Sequence, residues 1–197
     1  MNITFEKKLP FGTYKVFDSK PEFEFKKVHQ VHSDLVIDLT KEKTPHDIQA
    51  DGMIAPLDYK IPLVIVTADC LPVFLKGKNG VCFLHAGWKG LENGILGHEL
   101  VYSIEPEWAF IGPHISADNY EVGPEFKDYF KNSPSVIERN NQLCFDLGQE
   151  AKRQLHKLFG DIPVDASSAC TYQSQELHSY RLNKTNERNW NVFFYEI

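Results

Sequence analysis

Apolar and polar residues follow two different periods along the chain, and most of it follows the shorter one. Pro62-Leu63-Val64-Ile65-Val66-Thr67 is a continuous β-branched run that predicts a strand buried on both faces, ending at Ala68-Asp69-Cys70. Leu71 to Leu75 predicts a second strand, closed by the turn Lys76-Gly77-Lys78-Asn79-Gly80. A third strand, Val81 to His85, puts Val81, Phe83 and His85 on one face and Cys82 and Leu84 on the other, and runs into Ala86-Gly87-Trp88-Lys89-Gly90. Trp108 to Ile111 reads as a strand stopping at Gly112-Pro113, and Trp190 to Tyr195 as a closing strand.

The helical period is clearest from Leu147 to Phe159, where Leu147, Ala151, Leu155 and Phe159 recur every four residues. Asp146 is placed to cap it and Gly160 to end it. A second helix, from about Leu91 to Val101, contains glycines and needs tertiary packing to hold. Phe23 to Leu39 reads as extended chain, and Thr40 to Leu57, rich in charge, Pro, Asp and Gly, as a loop around a reactive mouth. Strands outnumber helices and no linker separates them. The expected fold is therefore α/β (α+β): residues 1–197 as one compact domain of mixed β-sheets flanked by helices.

At 197 residues the chain is long enough for a sizeable core, and its hydrophobic content of 42% is that of a globule. The net charge of −6, without any run of Lys or Arg, argues against nucleic acid as a partner. No apolar stretch is long enough for a bilayer, and the first residues lack the apolar core of a signal peptide. Cys70, Cys82, Cys144 and Cys170 form no CxxC, so reduced thiols and a cytoplasmic location are expected.

Two residues at predicted strand ends carry chemistry. Cys70 follows a strand and precedes Pro72, and His85 ends another, with Gly87 and Gly90 behind it letting backbone approach whatever His85 touches. A third donor comes from Val28-His29-Gln30-Val31-His32, where alternation points His29 and His32 in different directions and spacing alone does not choose between them. Two imidazoles and a thiolate suit Zn²⁺, and three protein ligands leave a fourth position for water, as in catalytic zinc sites. Cys82, on the opposite face from His85, reads as packing.

Several blocks occur together in order: Gln30-Val31-His32-Ser33, Thr67-Ala68-Asp69-Cys70-Leu71-Pro72-Val73, His85-Ala86-Gly87-Trp88-Lys89-Gly90-Leu91, Gly112-Pro113-His114-Ile115 and Tyr120-Glu121-Val122-Gly123. Phe145-Asp146-Leu147, Cys170-Thr171 and Ser179-Tyr180-Arg181 follow. From about Val28 onward the chain resembles the YfiH/laccase-domain family, also called the polyphenol oxidase or purine nucleoside phosphorylase laccase-domain family. The resemblance implies the YfiH-type architecture, shared with cytotoxic necrotizing factors, and a metal held by His32, Cys70 and His85, which selects His32 over His29. It implies Zn²⁺, with Cu²⁺ as a substitute. The implied reactions are phosphorolysis of adenosine, inosine and S-methyl-5′-thioadenosine, and adenosine deamination. The partners are then a purine nucleoside and inorganic phosphate, with the chain a monomer or small homo-oligomer. Three departures stand out: Lys89 where the family usually has arginine, Asp118-Asn119 where a cysteine usually precedes the Tyr-Glu-Val-Gly block, and an N-terminal segment reduced to Met1–Lys27.

Around the three ligands, Asp69 is a candidate to hold a ligand histidine or move a proton, and His114 to line the same mouth. Arg181 is the candidate clamp for phosphate or a ribose hydroxyl, with Lys89 beside it. Trp88 and Tyr120 are candidates to stack on a purine. The same residues permit three other readings: a cysteine hydrolase of peptides or amides with Cys70 as nucleophile and His85 as base, a copper polyphenol oxidase, and a non-enzymatic interaction domain.

Overall fold

The structure, a computed structural model, describes residues 1–139 and 141–195. In chain order its strands are β1 (Ile3–Leu9), β2 (Gly12–Phe17), β3 (Val36–Asp38), β4 (Gly52–Ala55), β5 (Leu63–Thr67), β6 (Leu71–Gly77), β7 (Val81–Ala86), β8 (Pro106–Ile111), β9 (Val136–Arg139), β10 (Gln142–Phe145), β11 (Val164–Ala166) and β12 (Asn189–Tyr195). The helices are α1 (Trp88–Glu92), α2 (Glu99–Ser103), α3 (Phe126–Tyr129), α4 (Leu147–Phe159) and α5 (Tyr180–Asn183).

Two sheets pack face to face. A four-stranded antiparallel sheet has the order β1-β2-β12-β5, and a six-stranded mixed sheet the order β11-β8-β6-β7-β4-β3. The alternation in β7 sorts its side chains between two cores, as expected. Val81 and Phe83 join Tyr14, Ile65, Phe74, Phe110 and Phe193 between the sheets. Cys82 and Leu84 join Leu91, Ile95, Ala151 and Leu155 under the helices on the far face. Every residue of β4, β6 and β7 except Lys76 is buried, which is why these strands read as nearly continuous apolar runs. The result is one mixed α/β domain of two packed sheets, a small two-stranded β9–β10 sheet and a helical layer.

Helix α4 spans the predicted residues, with Asp146 accepting a hydrogen bond from the Gln149 amide at 2.8 Å and Gly160 closing it at φ +72°. Three expectations are corrected. The helix expected over Leu91–Val101 is broken into α1, a 3-10 turn at Ile95–Gly97 and α2, because Gly94 takes a left-handed φ of +84° that ends α1 two residues earlier. The expected loop Thr40–Leu57 contains the buried strand β4, where Gly52 lies so close to Leu84 that a Cβ would stand 2.3 Å from its Cδ2. The extended run Phe23–Leu39 carries only β3 and isolated bridges, at Lys26 and His29.

Candidate metal centre and its surroundings

The antiparallel pairing of β6 with β7 sets Leu71 opposite Ala86 and Pro72 opposite His85. Cys70, one residue before β6, is therefore carried to the end of β7 where His85 sits. Asp69, at φ +93°, makes the sharp corner between β5 and β6 that presents the thiol. His32 reaches the same point from a loop. Gln30 acts as a substitute backbone for that loop, donating from Nε2 to Val66 O at 2.7 Å and accepting from Val66 N at 2.8 Å. Two residues later His32 takes φ +60°, which breaks the strand alternation and turns its ring inward. His29 is instead held by backbone bonds to Ile48 and Ala50 and stays outside the cluster.

The three donor atoms of His32, Cys70 and His85 lie within 4.8 Å of one another, the single such group among the described residues. Their imidazole centroids are 4.7 Å apart and nearly perpendicular. Gly87 forms the floor: a Cβ there would lie 3.1 Å from Cys70 Sγ and 3.5 Å from His32 Cδ2. One thiolate and two imidazoles converging over a position kept free of side chain fit a tetrahedral ion with one open position, and Zn²⁺ suits that donor chemistry best.

Asp51 organises both histidines. It is fully buried, and its Oδ1 accepts from His85 Nδ1 at 2.7 Å and from His32 N at 3.0 Å. Its Oδ2 accepts from Val31 N at 3.2 Å, Ser33 N at 2.6 Å and Ser33 Oγ at 2.8 Å. One carboxylate thus fixes the His85 tautomer, leaving Nε2 for the site, and pins the left-handed turn that aims His32. Although burial alone would raise it, the His85 and Ser33 hydrogen bonds bring the Asp51 carboxyl down to about 2. Burial likewise pushes the Cys70 thiol up, but the charge of His85 and the hydrogen bonds of both imidazoles lower it to about 6. Burial opposes charge on His85 as well, and Cys70 with Asp51 overcomes it, raising His85 to about 9. The protein's own groups therefore favour a thiolate at Cys70 near neutral pH.

Sequence reasoning missed Asp51. The available signal was the Asp51-Gly52 pair followed by Met53-Ile54-Ala55, but Asp-Gly reads as a turn and the apolar run is short. Pairing of β4 with β7 is what places Asp51 beside His85, whose amide donates to Asp51 O at 2.7 Å.

Asp69 does not hold a ligand histidine, since Asp51 does. Its Oδ1 accepts from Thr171 Oγ1 at 2.7 Å and its Oδ2 from Arg181 N at 2.7 Å, tying the start of α5 to the Cys70 corner. The Arg181 guanidinium lies 5.0 Å from the centre of the Tyr120 ring and donates to Glu121 O at 2.8 Å. Tyr120 and Arg181 are thus tied through Asp69 to the Cys70 corner, and burial, then the nearby Cys70 charge, push the Tyr120 hydroxyl well up. Trp88 and Lys89 form another group. Trp88 stacks on Tyr129 at 5.3 Å and packs on Phe126, while Lys89 is exposed with its ammonium 5.6 Å from the Trp88 ring. His114 stands apart from the three ligands. Its Nδ1 lies 2.8 Å from Gly112 O, its ring packs on Gly148 of α4, and it lines a cleft with Ser116, Asp146, Ser167 and Cys170. Cys82 is buried among apolar groups, which raise its thiol.

The family model described as "Multi-copper polyphenol oxidoreductase laccase" matches residues 15–194. A purine nucleoside phosphorylase of Aquifex aeolicus is 38% identical over 164 residues, covering 81% of this chain and 77% of the relative. The purine nucleoside phosphorylase YfiH of Escherichia coli is 32% identical over 172 residues, covering 82% and 70% respectively. Among solved structures, YlmD from Geobacillus stearothermophilus aligns at a TM-score of 0.75 with 21% identity, over 88% of this chain and 74% of that one. YfiH of Bacillus licheniformis aligns at 0.72 with 22% identity, over 86% and 73%, and both show the same fold. With the matched region running through the His32 loop, the Cys70 corner, β7 and α5, the chain belongs to the YfiH laccase-domain family.

Proposed function

We propose that the chain is a zinc-dependent purine nucleoside phosphorylase acting on adenosine, inosine and S-methyl-5′-thioadenosine, with adenosine deamination at the same site. The observation that carries the reading is the three-donor cluster of His32, Cys70 and His85 with the Tyr120–Arg181 pair beside it. The names of the relatives supply the substrate class. His32, Cys70 and His85 would hold the zinc, which supplies a Lewis acid able to polarise an oxygen or acidify a water.

The chain's own residues do the positioning. In phosphorolysis an oxygen of inorganic phosphate attacks C1′ as the C1′–N9 bond breaks, and the purine leaves with the bond pair and takes up a proton. Arg181 spends one N–H on Glu121 O and keeps others for a phosphate oxygen, while Asp69 fixes its backbone. Tyr120 offers a ring edge to the nucleoside. Lys89 is exposed and serves as a secondary attraction for the anion, as a point charge without a bidentate fork. In deamination, water adds to C6 of adenine and ammonia leaves, giving inosine. We do not place His114 in the reaction, because its ring is held between Gly112 and Gly148.

Adenosine incubated with and without phosphate, with all products quantified, tests the reading. Ribose 1-phosphate with adenine, or inosine with ammonia, is expected, with loss on chelation and in Cys70→Ala. Neither product pair, or turnover that survives both treatments, would overturn it.

A second reading rests on the chain of contacts Asp51–His85–Cys70, which orders carboxylate, imidazole and thiolate as in a cysteine hydrolase acting on a peptide or amide. It leaves unexplained the turned-in His32. Amide hydrolysis that resists chelation but stops on thiol alkylation would favour it.

A further inference from the structure

On the outer face of the four-stranded sheet, Lys20, Phe25, Lys26, Lys27, Pro45, His46 and Trp190, none of them a member of the metal cluster, line a cleft of about 360 Å³. We propose that it binds a small aromatic anion of the mononucleotide kind, one phosphate and one flat ring.

The charge distribution points to an anion. The chain carries a net charge of −6, yet this cleft is lined by three lysines and a histidine and by no carboxylate. Lys26 lies 3.8 Å from Glu24 and His46 lies 3.5 Å from Asp47, both acids pointing largely into solvent. Among the described residues, Lys20 and Lys27 have no carboxylate within 4.0 Å. Among the described residues, the half-buried Lys27 ammonium donates to Val28 O alone, at 3.0 Å. Burial, and then the like charge of Lys20, disfavour its ammonium form. Two ammonium groups that repel across one cleft are both relieved by a phosphate between them.

The ring walls point to an aromatic body. Phe25 and Trp190 meet edge to face at 5.7 Å, and Lys20 Nζ lies 6.0 Å from the centre of the Phe25 ring. Trp190 is fixed by its place in β12, opposite Phe17 and Val66, and Phe25 by the backbone pairing of Lys26 with Pro62 and Val64 at 2.9 Å. The walls are therefore built before a ligand arrives. The volume lies at the small end of the range for small-molecule pockets, roughly 300–1,000 Å³, which suits one ring and one phosphate. A nucleic-acid strand would need a continued basic track, and the net charge of −6 without a run of Lys or Arg argues against one.

The test is calorimetric titration of the full chain with adenosine 5′-monophosphate, in a Cys70→Ala/Arg181→Ala background that removes both the thiol donor and the phosphate clamp of the proposed reaction site. Saturable binding is expected, and adenosine alone and inorganic phosphate alone should bind at least tenfold more weakly. Lys20→Ala, an exposed position that cannot unfold the chain, should weaken binding severalfold, and Lys20→Ala/Lys27→Ala more than tenfold. Lys8→Ala/Lys131→Ala, an equal change in net charge elsewhere, should leave it unchanged. Absence of saturable binding, equal loss in both double variants, or phosphate binding as tightly as the nucleotide would each overturn the proposal.

Discussion

Replacing Asp51 tests whether one buried carboxylate governs both histidine ligands. In Asp51→Ala the acceptors of five hydrogen bonds vanish at once. Val31 and His32 are exposed, so their amides can turn to water at little cost. The buried His85 Nδ1–H and the half-buried Ser33 amide cannot. At about 1–3 kcal/mol for each orphaned buried donor, the loss is about 2–6 kcal/mol, enough to threaten a domain of ordinary stability. Asp51→Asn is the more informative variant. It keeps one carbonyl acceptor and the volume, and removes the charge that holds the His85 tautomer. Zinc affinity, measured by competition with a chromophoric chelator, should fall about 10–100-fold while the fold survives. The acid limb of stability supplies a second readout. The Asp51 carboxyl is held down to about 2, so its stabilisation is complete above the ordinary carboxylate range near pH 4 and disappears as pH falls through 2. From the displacement it amounts to roughly 2 kcal/mol, and the Asn variant should lack that portion. A folded Asp51→Asn protein that binds zinc as tightly as the parent would refute the reasoning.

Three further outcomes follow from the same geometry. Gly87→Ala places a methyl 3.1 Å from Cys70 Sγ at a backbone φ of −68° that alanine accepts, so zinc affinity should drop by about tenfold with a nearly unchanged melting temperature; a parallel loss of both would show damage to the fold instead. Glu150, fully buried and bonded to Arg153, Ser133 and Gln154, is held down to about 2 against its burial, so the parent should lose stability between about pH 4.5 and 2 and Glu150→Gln should show a flatter acid limb in urea titrations. Metal analysis should give one zinc per chain and none in Cys70→Ala, and four coppers with a strong blue band would contradict it, since 8 histidines, two of them at the cluster, are too few for a multicopper oxidase.

How much could be read from the sequence varied with how local the cause was. The long helix and β5 to β8 were legible because their periodicity is internal and their stops, Asp146, Gly160 and Gly112-Pro113, immediately flank them. The β1–β2 hairpin and the β9–β10 hairpin went unread, since β1 and β9 are half-exposed with weak alternation and the pairs gain their order from β12 and from the Glu121–Cys144 bridge. At the site, Cys70 and His85 were visible as residues at strand ends. The choice of His32 over His29 needed family resemblance, because a positive φ cancels the alternation on which spacing arguments depend. Asp51 was hidden for a different reason: its importance comes from β4 pairing with β7, a contact that no local pattern announces.

The three proposed ligands come from a loop pinned to β5, the β5–β6 corner and the end of β7, separate in the chain and adjacent only in the finished sheets. An unfolded chain would have to close two long loops to gather them, so it chelates poorly, and a bound ion favours the native state almost exclusively. At a free concentration a thousandfold above its dissociation constant, an ion adds about 4 kcal/mol to the unfolding free energy. In the proposed zinc-bound protein the working lifetime of the fold would be tied to the supply of metal around it, and scarcity would be felt as instability as well as inactivity.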